Sequence, residues 1–192
     1  RSFINGDYNT TSPLHFVRRS IKKKLNLKKL QRISINKLNK SNSFKVLYPM
    51  QMQPEANIDV YGYPHNNQND IIKNIISQID PADELIIKLN PKPYMEINED
   101  LIKLIECYPN IKILNPDVLM SDVFAQIDAV ITVTGTISIE CILTNKPVIT
   151  FVKTYFNDTK NCKHIDNYSD IYNSIKDIKK NRLNPMSKTE HL

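Results

Sequence analysis

The amino-acid sequence predicts an α/β fold, a doubly wound parallel sheet with helices on both faces. From Phe44 to Lys180, short runs rich in Val, Ile and Leu alternate with segments whose apolar residues recur at helical spacing. That strict alternation is the pattern of successive βαβ units. The second observation is the stretch Asp128 to Phe151. Here a β-branched run, Val130-Ile131-Thr132-Val133-Thr134, breaks at Gly135 and resumes as an apolar run at Pro147. Strand, glycine turn, helix and strand make one such unit.

Taken in order, Arg1 to Pro13 is polar and aperiodic and reads as loop. Leu14 to Lys40 carries Phe16, Ile21, Leu25, Leu27, Leu30 and Ile33 at loosely helical spacing. Phe44 to Pro49 is the first strand, followed by the polar loop Met50 to Glu55. Ile71, Ile72, Ile75 and Ile76 mark a helix face over Asn69 to Ile79, stopped by Asp80-Pro81. Glu84 to Leu89 is the second strand and runs into Asn90-Pro91-Lys92-Pro93. Glu99 to Cys107 is helical and Ile111 to Leu114 a short third strand. Ser121 to Gln126 reads as a brief helix with Ser121 as its N-cap. Val130 to Thr134, the helix Thr136 to Leu143 and Pro147 to Phe151 complete the unit described above. A last helix is predicted over Asp170 to Lys180, and Asn181 to Leu192 reads as a polar tail. The expected organisation is a basic, partly helical extension over 1–43, a Rossmann-like domain over 44–180 and a tail over 181–192.

The hydrophobic and charged fractions, 41% and 24%, are those of an ordinary globular protein. No apolar run approaches the roughly 20 residues that span a bilayer. The opening residues lack the apolar core of a signal peptide, and the chain begins with Arg, so a piece of a longer chain is expected. Cys107, Cys141 and Cys162 are scattered without metal-ligand spacing and read as reduced thiols of a cytosolic protein. The net charge of +6 is local. Ten basic residues and no acid lie between Arg18 and Lys40, which leaves about −4 for the rest of the chain. A solvated linker helix and a helix attracted to an anionic membrane surface both fit this segment. Nucleic acid is not expected as a partner, because no recognised module or aromatic interleaving accompanies the charge.

Three strand ends carry polar clusters: Gln51-Met52-Gln53-Pro54-Glu55, Lys88-Leu89-Asn90-Pro91, and Thr134-Gly135-Thr136 with Ser138 and Glu140. In a parallel sheet these ends share one edge, where ligands bind. A glycine turn entering a helix suits phosphate: Gly135 admits close backbone approach, and helix-start N–H groups with nearby hydroxyls donate to it. Alone, Thr136 is equally a plain N-cap and Glu140 a first-turn acid favouring the dipole. Of the four histidines, His15 and His191 fall in the ends, while His65 and His164 fall in loops that border the expected cleft.

In these clusters the chain resembles the capsule polysaccharide biosynthesis proteins, a family that includes the Kdo transferases of bacterial capsule export loci. Leu47-Tyr48-Pro49-Met50-Gln51-Met52-Gln53-Pro54-Glu55 is similar to the family's "f-P-L-Q-x-Q-P-E" signature, and Gln68 with Ile72 to its "Q-x-x-x-I" helix. Leu85 to Pro91 resembles "l-x-V-K-E-H-P", and Tyr108-Pro109-Asn110-Ile111 through Leu114 resembles "p-N-V-x-l-i". Val133-Thr134-Gly135-Thr136, Glu140 and Lys146-Pro147-Val148-Ile149 resemble "T-V-T-G-T-x-g-x-E-A-l-x-x-x-K-P-V". The resemblance spans about residues 44 to 156.

The resemblance implies a glycosyltransferase of the GT-B type, this chain being its carboxyl-terminal, donor-binding domain. It implies a nucleotide-sugar such as CMP-Kdo as substrate, with neither metal nor other cofactor, and a polysaccharide or glycolipid acceptor. The reaction would be an inverting displacement at the cytoplasmic side of the inner membrane. Thr134, Gly135, Thr136 and Ser138 would hold the donor phosphate and Glu140 the ribose or sugar. Lys88, Asn90 and Pro91 would line the nucleotide cleft, and Gln53 and Glu55 would face it. The general base would lie in an amino-terminal domain absent from this sequence, so the catalytic residue is unassigned and the piece alone is expected to bind donor without turning over. Two positions depart from the pattern: Asn90 stands where the family keeps histidine, and Leu89 where it keeps glutamate. An asparagine amide donates neutral hydrogen bonds and cannot carry the proton a histidine can. A nucleotide-sugar 2-epimerase, a polyol-phosphate transferase on the same plan, and a non-catalytic donor-binding or membrane-docking module are the other readings.

Overall fold

The computed structural model describes residues 13–90, 97–155, 157 and 159–180. Helix α1 (Pro13–Ile33) precedes the sheet. Then come β1 (Lys45–Pro49), α2 (Ala56–Asp59), α3 (Gln68–Gln78), β2 (Glu84–Lys88), α4 (Glu99–Cys107), β3 (Ile111–Leu114) and α5 (Met120–Phe124). The second half holds β4 (Ala129–Thr132), α6 (Ile137–Leu143), β5 (Val148–Thr150), β6 (Cys162–His164) and α7 (Asp170–Lys179). The loop expected over 1–12, the tail over 181–192, Pro91, and the side chains of His15 and Phe16 lie outside the described residues.

All strand pairs are parallel and the order is β3-β2-β1-β4-β5-β6. The predicted doubly wound α/β fold is the observed one. Alternation along the strands divides the core between the two faces. Val46, Tyr48, Leu85, Ile87, Ile111, Ile113 and Ile131 pack with Ile71, Ile75, Leu101, Ile171 and Ile175 of α3, α4 and α7. Leu47, Ile86, Leu114, Val130 and Val148 pack on the other side with Val123, Ile127, Cys141 and Ile142. Near-continuous apolar strands therefore follow from burial on both faces.

The helix starts show how local sequence sets the boundaries. The Asn67 side chain accepts from the N–H groups of Asn69 and Asp70, and that of Asn98 accepts from Leu101 N–H at 2.8 Å. Ser121 is not an N-cap: α5 begins one residue earlier, Leu119 stands at the cap, and no side chain caps it. A sixth strand, β6, was not predicted. Cys162-Lys163-His164 is short and only Cys162 is buried, so it carries no strand-like run. Asparagines hold it in place instead. Asn161 is buried and donates to the carbonyls of Cys141 and Lys146, both at 3.2 Å, while the Asn157 amide reaches Thr150 Oγ1 at 2.9 Å and Cys162 Sγ at 3.3 Å.

Segment 13–43 joins the same body. Leu30 is buried in the main core, Leu38 in the other, and Ile35 forms a parallel bridge with Leu114 at the end of β3.

Candidate functional site

The strand order reverses direction between β1 and β4, whose connections run to opposite sides of the sheet. This topological switch point opens a crevice outside the carboxyl ends of the two strands. A cleft of about 1200 Å³ lies there. One wall is the end of β1, from Pro49 through Met52, with Glu55, Asn57 and Tyr61 beyond it. The facing wall is Thr132 with Thr134, Gly135, Thr136, Ile137 and Ile139. Asn90 enters from the end of β2, and Lys153, Thr154 and Tyr155 from the end of β5.

The first wall is held by a glutamine network. Gln68, the buried first residue of α3, accepts the Gln51 N–H at 2.8 Å and the Tyr48 hydroxyl at 3.4 Å through Oε1. Its amide donates to Gln51 O at 2.8 Å and to Gln53 Oε1 at 2.9 Å. Gln53 in turn donates to Asp59 Oδ1 at 2.6 Å and Asn66 O at 3.0 Å, and the other oxygen of Asp59 accepts Glu55 N–H at 2.8 Å. Gln51 closes the circuit across the cleft floor: its Nε2 donates to the carbonyl of Thr134. That carbonyl also accepts the Thr132 hydroxyl at 3.1 Å. So the loop after β1 and the turn after β4 are fixed against each other by side-chain hydrogen bonds.

Gly135 has φ of +115°, where a Cβ is strained, and an added Cβ would meet Gln51 Nε2 at 3.3 Å. Thr136 follows at the start of α6 with an exposed side chain that makes no capping bond. Among the described residues nothing accepts the backbone N–H of Gly135, Thr136 or Ile137. The turn thus offers hydroxyl and amide donors beside the cleft.

Five of the residues expected at the site line the cleft together: Glu55, Asn90, Thr134, Gly135 and Thr136. The others stand elsewhere. Lys88 is buried with its ammonium turned to backbone, donating to the carbonyls of Pro116 at 2.6 Å, Asn115 at 3.3 Å and Leu89 at 3.4 Å. Burial lowers its pKa from the usual lysine value, with Asp117 acting weakly the other way. Gln53 belongs to the network behind the wall. Ser138 is buried on α6 with its hydroxyl unpartnered among the described residues, and Glu140 is exposed one turn into the helix. Pro91 lies outside the described residues. His65 packs its ring 5.1 Å from Phe151 and 5.0 Å from Tyr168, and His164 lies 3.7 Å from Asp166; neither lines the cleft.

Sequence reasoning missed Lys153, Thr154, Tyr155, Asn57 and Tyr61. The first three follow a strand read correctly, so the rule applied to the other strand ends would have found them. Asn57 lies in α2 and Tyr61 just after it, and that helix has too few residues to show a period. Among the described residues no group of three or more His, Cys, Asp or Glu is placed to hold a metal ion, and no helix is long and apolar enough to cross a membrane.

Solved structures share this architecture at low sequence identity. UDP-GlcNAc 2-epimerase from Neisseria meningitidis bound to UDP-GlcNAc superposes with a TM-score of 0.55 at 15% identity, over 88% of this chain and 44% of that one. The Thermosulfurimonas dismutans KpsC β-Kdo 2,7-transferase gives 0.53 at 13%, over 78% and 46%. S. aureus MnaA with UDP gives 0.52 at 18%, over 78% and 42%. The chain therefore spans less than half the length of each of these proteins, and at such identities the likeness establishes the fold alone. No curated protein matches the sequence. The family pattern described as capsule polysaccharide biosynthesis protein does match, over residues 4–159, which takes in the three cleft-forming clusters. On that match the chain belongs to the capsule polysaccharide biosynthesis protein family.

Proposed function

We propose that this chain is the donor-binding part of a glycosyltransferase of capsule or other surface-polysaccharide assembly, holding a nucleotide-activated sugar such as CMP-Kdo. The observation that carries the reading is the cleft at the β1–β4 switch point, with the Thr134-Gly135-Thr136 turn as one wall. Such crevices take nucleotides in open parallel sheets, and the amide and hydroxyl donors of this turn match a phosphate's acceptor oxygens. The solved structures named above support it, since two of them carry UDP or UDP-GlcNAc on the same fold and one is a Kdo transferase.

In this reading the chemistry is displacement of a nucleotide leaving group with inversion at the sugar. The turn's donors hold the phosphate as its charge grows. Lys153, in the same cleft, supplies positive charge beside it. Asn90 lines the cleft where a histidine would donate a proton, so the leaving phosphate is met by neutral and lysine donors. Acceptor binding and the general base belong to a second domain. A nucleotide-sugar 2-epimerase is the second reading, favoured by the epimerase folds among the similar structures.

Thermal-shift measurement with CMP, UDP and their sugar conjugates tests both. Stabilisation by CMP above UDP supports the Kdo-type donor, and stabilisation by UDP alone moves the assignment to the epimerase side. A flat response to every nucleotide would sink the donor-site reading.

A further inference from the structure

We propose that the outward face of α1 docks on an anionic membrane surface. The helix has two sides. Leu30 and Asn26 are buried against the body at 1% and 4% exposure, and Leu27 packs beside them. On the opposite side Leu14, Val17, Ile21 and Leu25 stand 76%, 51%, 54% and 55% exposed. Their spacing of three and four residues makes one continuous aliphatic stripe. Arg18, Lys22, Lys24, Lys28, Lys29 and Arg32 flank the stripe, all exposed, and no acid occurs between Arg18 and Lys40.

The combination selects the partner. An aliphatic stripe left in water marks an interaction surface. A duplex nucleic acid would use the cations but offers the stripe little apolar surface to bury against. A second copy of the same face would set lysine against lysine around the rim, which opposes pairing. A lipid interface satisfies both features: the aliphatic side chains enter the acyl boundary while the lysines and arginines reach back to anionic headgroups.

Position agrees with this. Lys22 pairs at 2.9 Å with Glu99, the first residue of α4, and the chain just after α1 bridges at Ile35 to Leu114, the last residue of β3. Both anchor points lie at the carboxyl edge of the sheet, the edge on which the cleft opens. Taken with the donor-site reading, on which this one point rests, a docked α1 holds the cleft at the surface where a glycolipid acceptor resides. The docking itself needs no nucleotide.

Sedimentation of the 192-residue chain with phosphatidylcholine vesicles, with and without phosphatidylglycerol, tests the surface. Pelleting is expected only with the anionic lipid and is expected to weaken as salt rises. Each lysine removed should lower the partition coefficient about fivefold, so Lys24→Gln with Lys28→Gln gives roughly a 25-fold loss. Ile21→Ser with Leu25→Ser should abolish pelleting while circular dichroism and melting temperature stay unchanged, since both side chains face outward. Equal pelleting with neutral vesicles, or pelleting that survives both pairs, overturns the proposal. So does a wild-type dimer in light scattering that the serine pair dissolves, or tighter binding to a duplex oligonucleotide or an acidic protein than to the vesicles. Nucleotide-induced thermal shifts measured on the same variants keep this outcome separate from that of the donor site.

Discussion

Gly135 and Thr136 are neighbours with different physical duties, and substitutions separate them. Gly135→Ala places a Cβ at φ +115° and against Gln51 Nε2. It should cost about 1–3 kcal/mol, lowering the melting temperature by several degrees and removing any nucleotide response. Thr136→Val loses only an exposed hydroxyl without a capping bond. Its melting temperature should match the wild type, and only the nucleotide shift should shrink. If Thr136→Val also unfolds early, the residue is a structural cap after all. His65 gives a pH prediction. Burial lowers its pKa below the usual histidine value, and the nearby His164 lowers it further, against weaker raising from Asp166. The folded protein then binds fewer protons than the unfolded chain below about pH 6.5. Stability from this group is fully present above that pH and is lost as pH falls through the lowered folded value. An imidazole titration by NMR should place His65 below the usual histidine value, and His65→Phe should flatten the acid limb of the melting-temperature profile.

At the scale of elements, the position of the cleft was legible because strand ends follow from strands, and the strands were apolar enough to read. Phe44 to Pro49, Glu84 to Leu89 and Ile111 to Leu114 announce themselves through burial on both faces, and the polar residues after the first two, with those after β4, fell where the cleft lies. What escaped was decided by tertiary hydrogen bonds. Nothing in Cys162-Lys163-His164 signals a strand, because asparagines from neighbouring loops supply its support. Lys88 sits at a strand end yet points its ammonium at the carbonyls after β3, a direction no spacing rule contains. Gln53 reads as a ligand group facing the cleft, whereas the structure joins it to Gln68 and Asp59. The motif's glutamines therefore shape the cleft wall, and this too can be measured. Gln68→Leu keeps roughly the volume but strands the Gln51 backbone groups and Gln53 Oε1. A loss of about 2–4 kcal/mol in urea unfolding is expected, together with weakened nucleotide binding from residues it never touches. A loss below about 0.5 kcal/mol would mean water replaces the amide and the network is dispensable.

Over the whole molecule, the parallel sheet is closed on both faces by separate cores, one under α3, α4 and α7 and the other under α5 and α6. The basic amino-terminal segment is tied into both through Leu30 and Leu38, so the segment and the sheet should melt together. Three thiols report on this. Cys107 is exposed, while Cys141 and Cys162 are buried together in the second core. Burial pushes the Cys141 thiol up to about 12 and that of Cys162 up to about 11, the latter held back somewhat by the Asn157 amide. A thiolate-specific reagent near neutral pH should therefore label one cysteine rapidly and two only through opening of the fold. Mass spectrometry of labelled peptides across a urea series should show Cys141 and Cys162 becoming reactive at one midpoint. That midpoint should coincide with the loss of helical circular dichroism, to which α1 is the longest contributor. If the two thiols react at a lower urea concentration than the helical signal falls, the α5–α6 side opens on its own. The two cores would then be separate cooperative units joined only through the sheet.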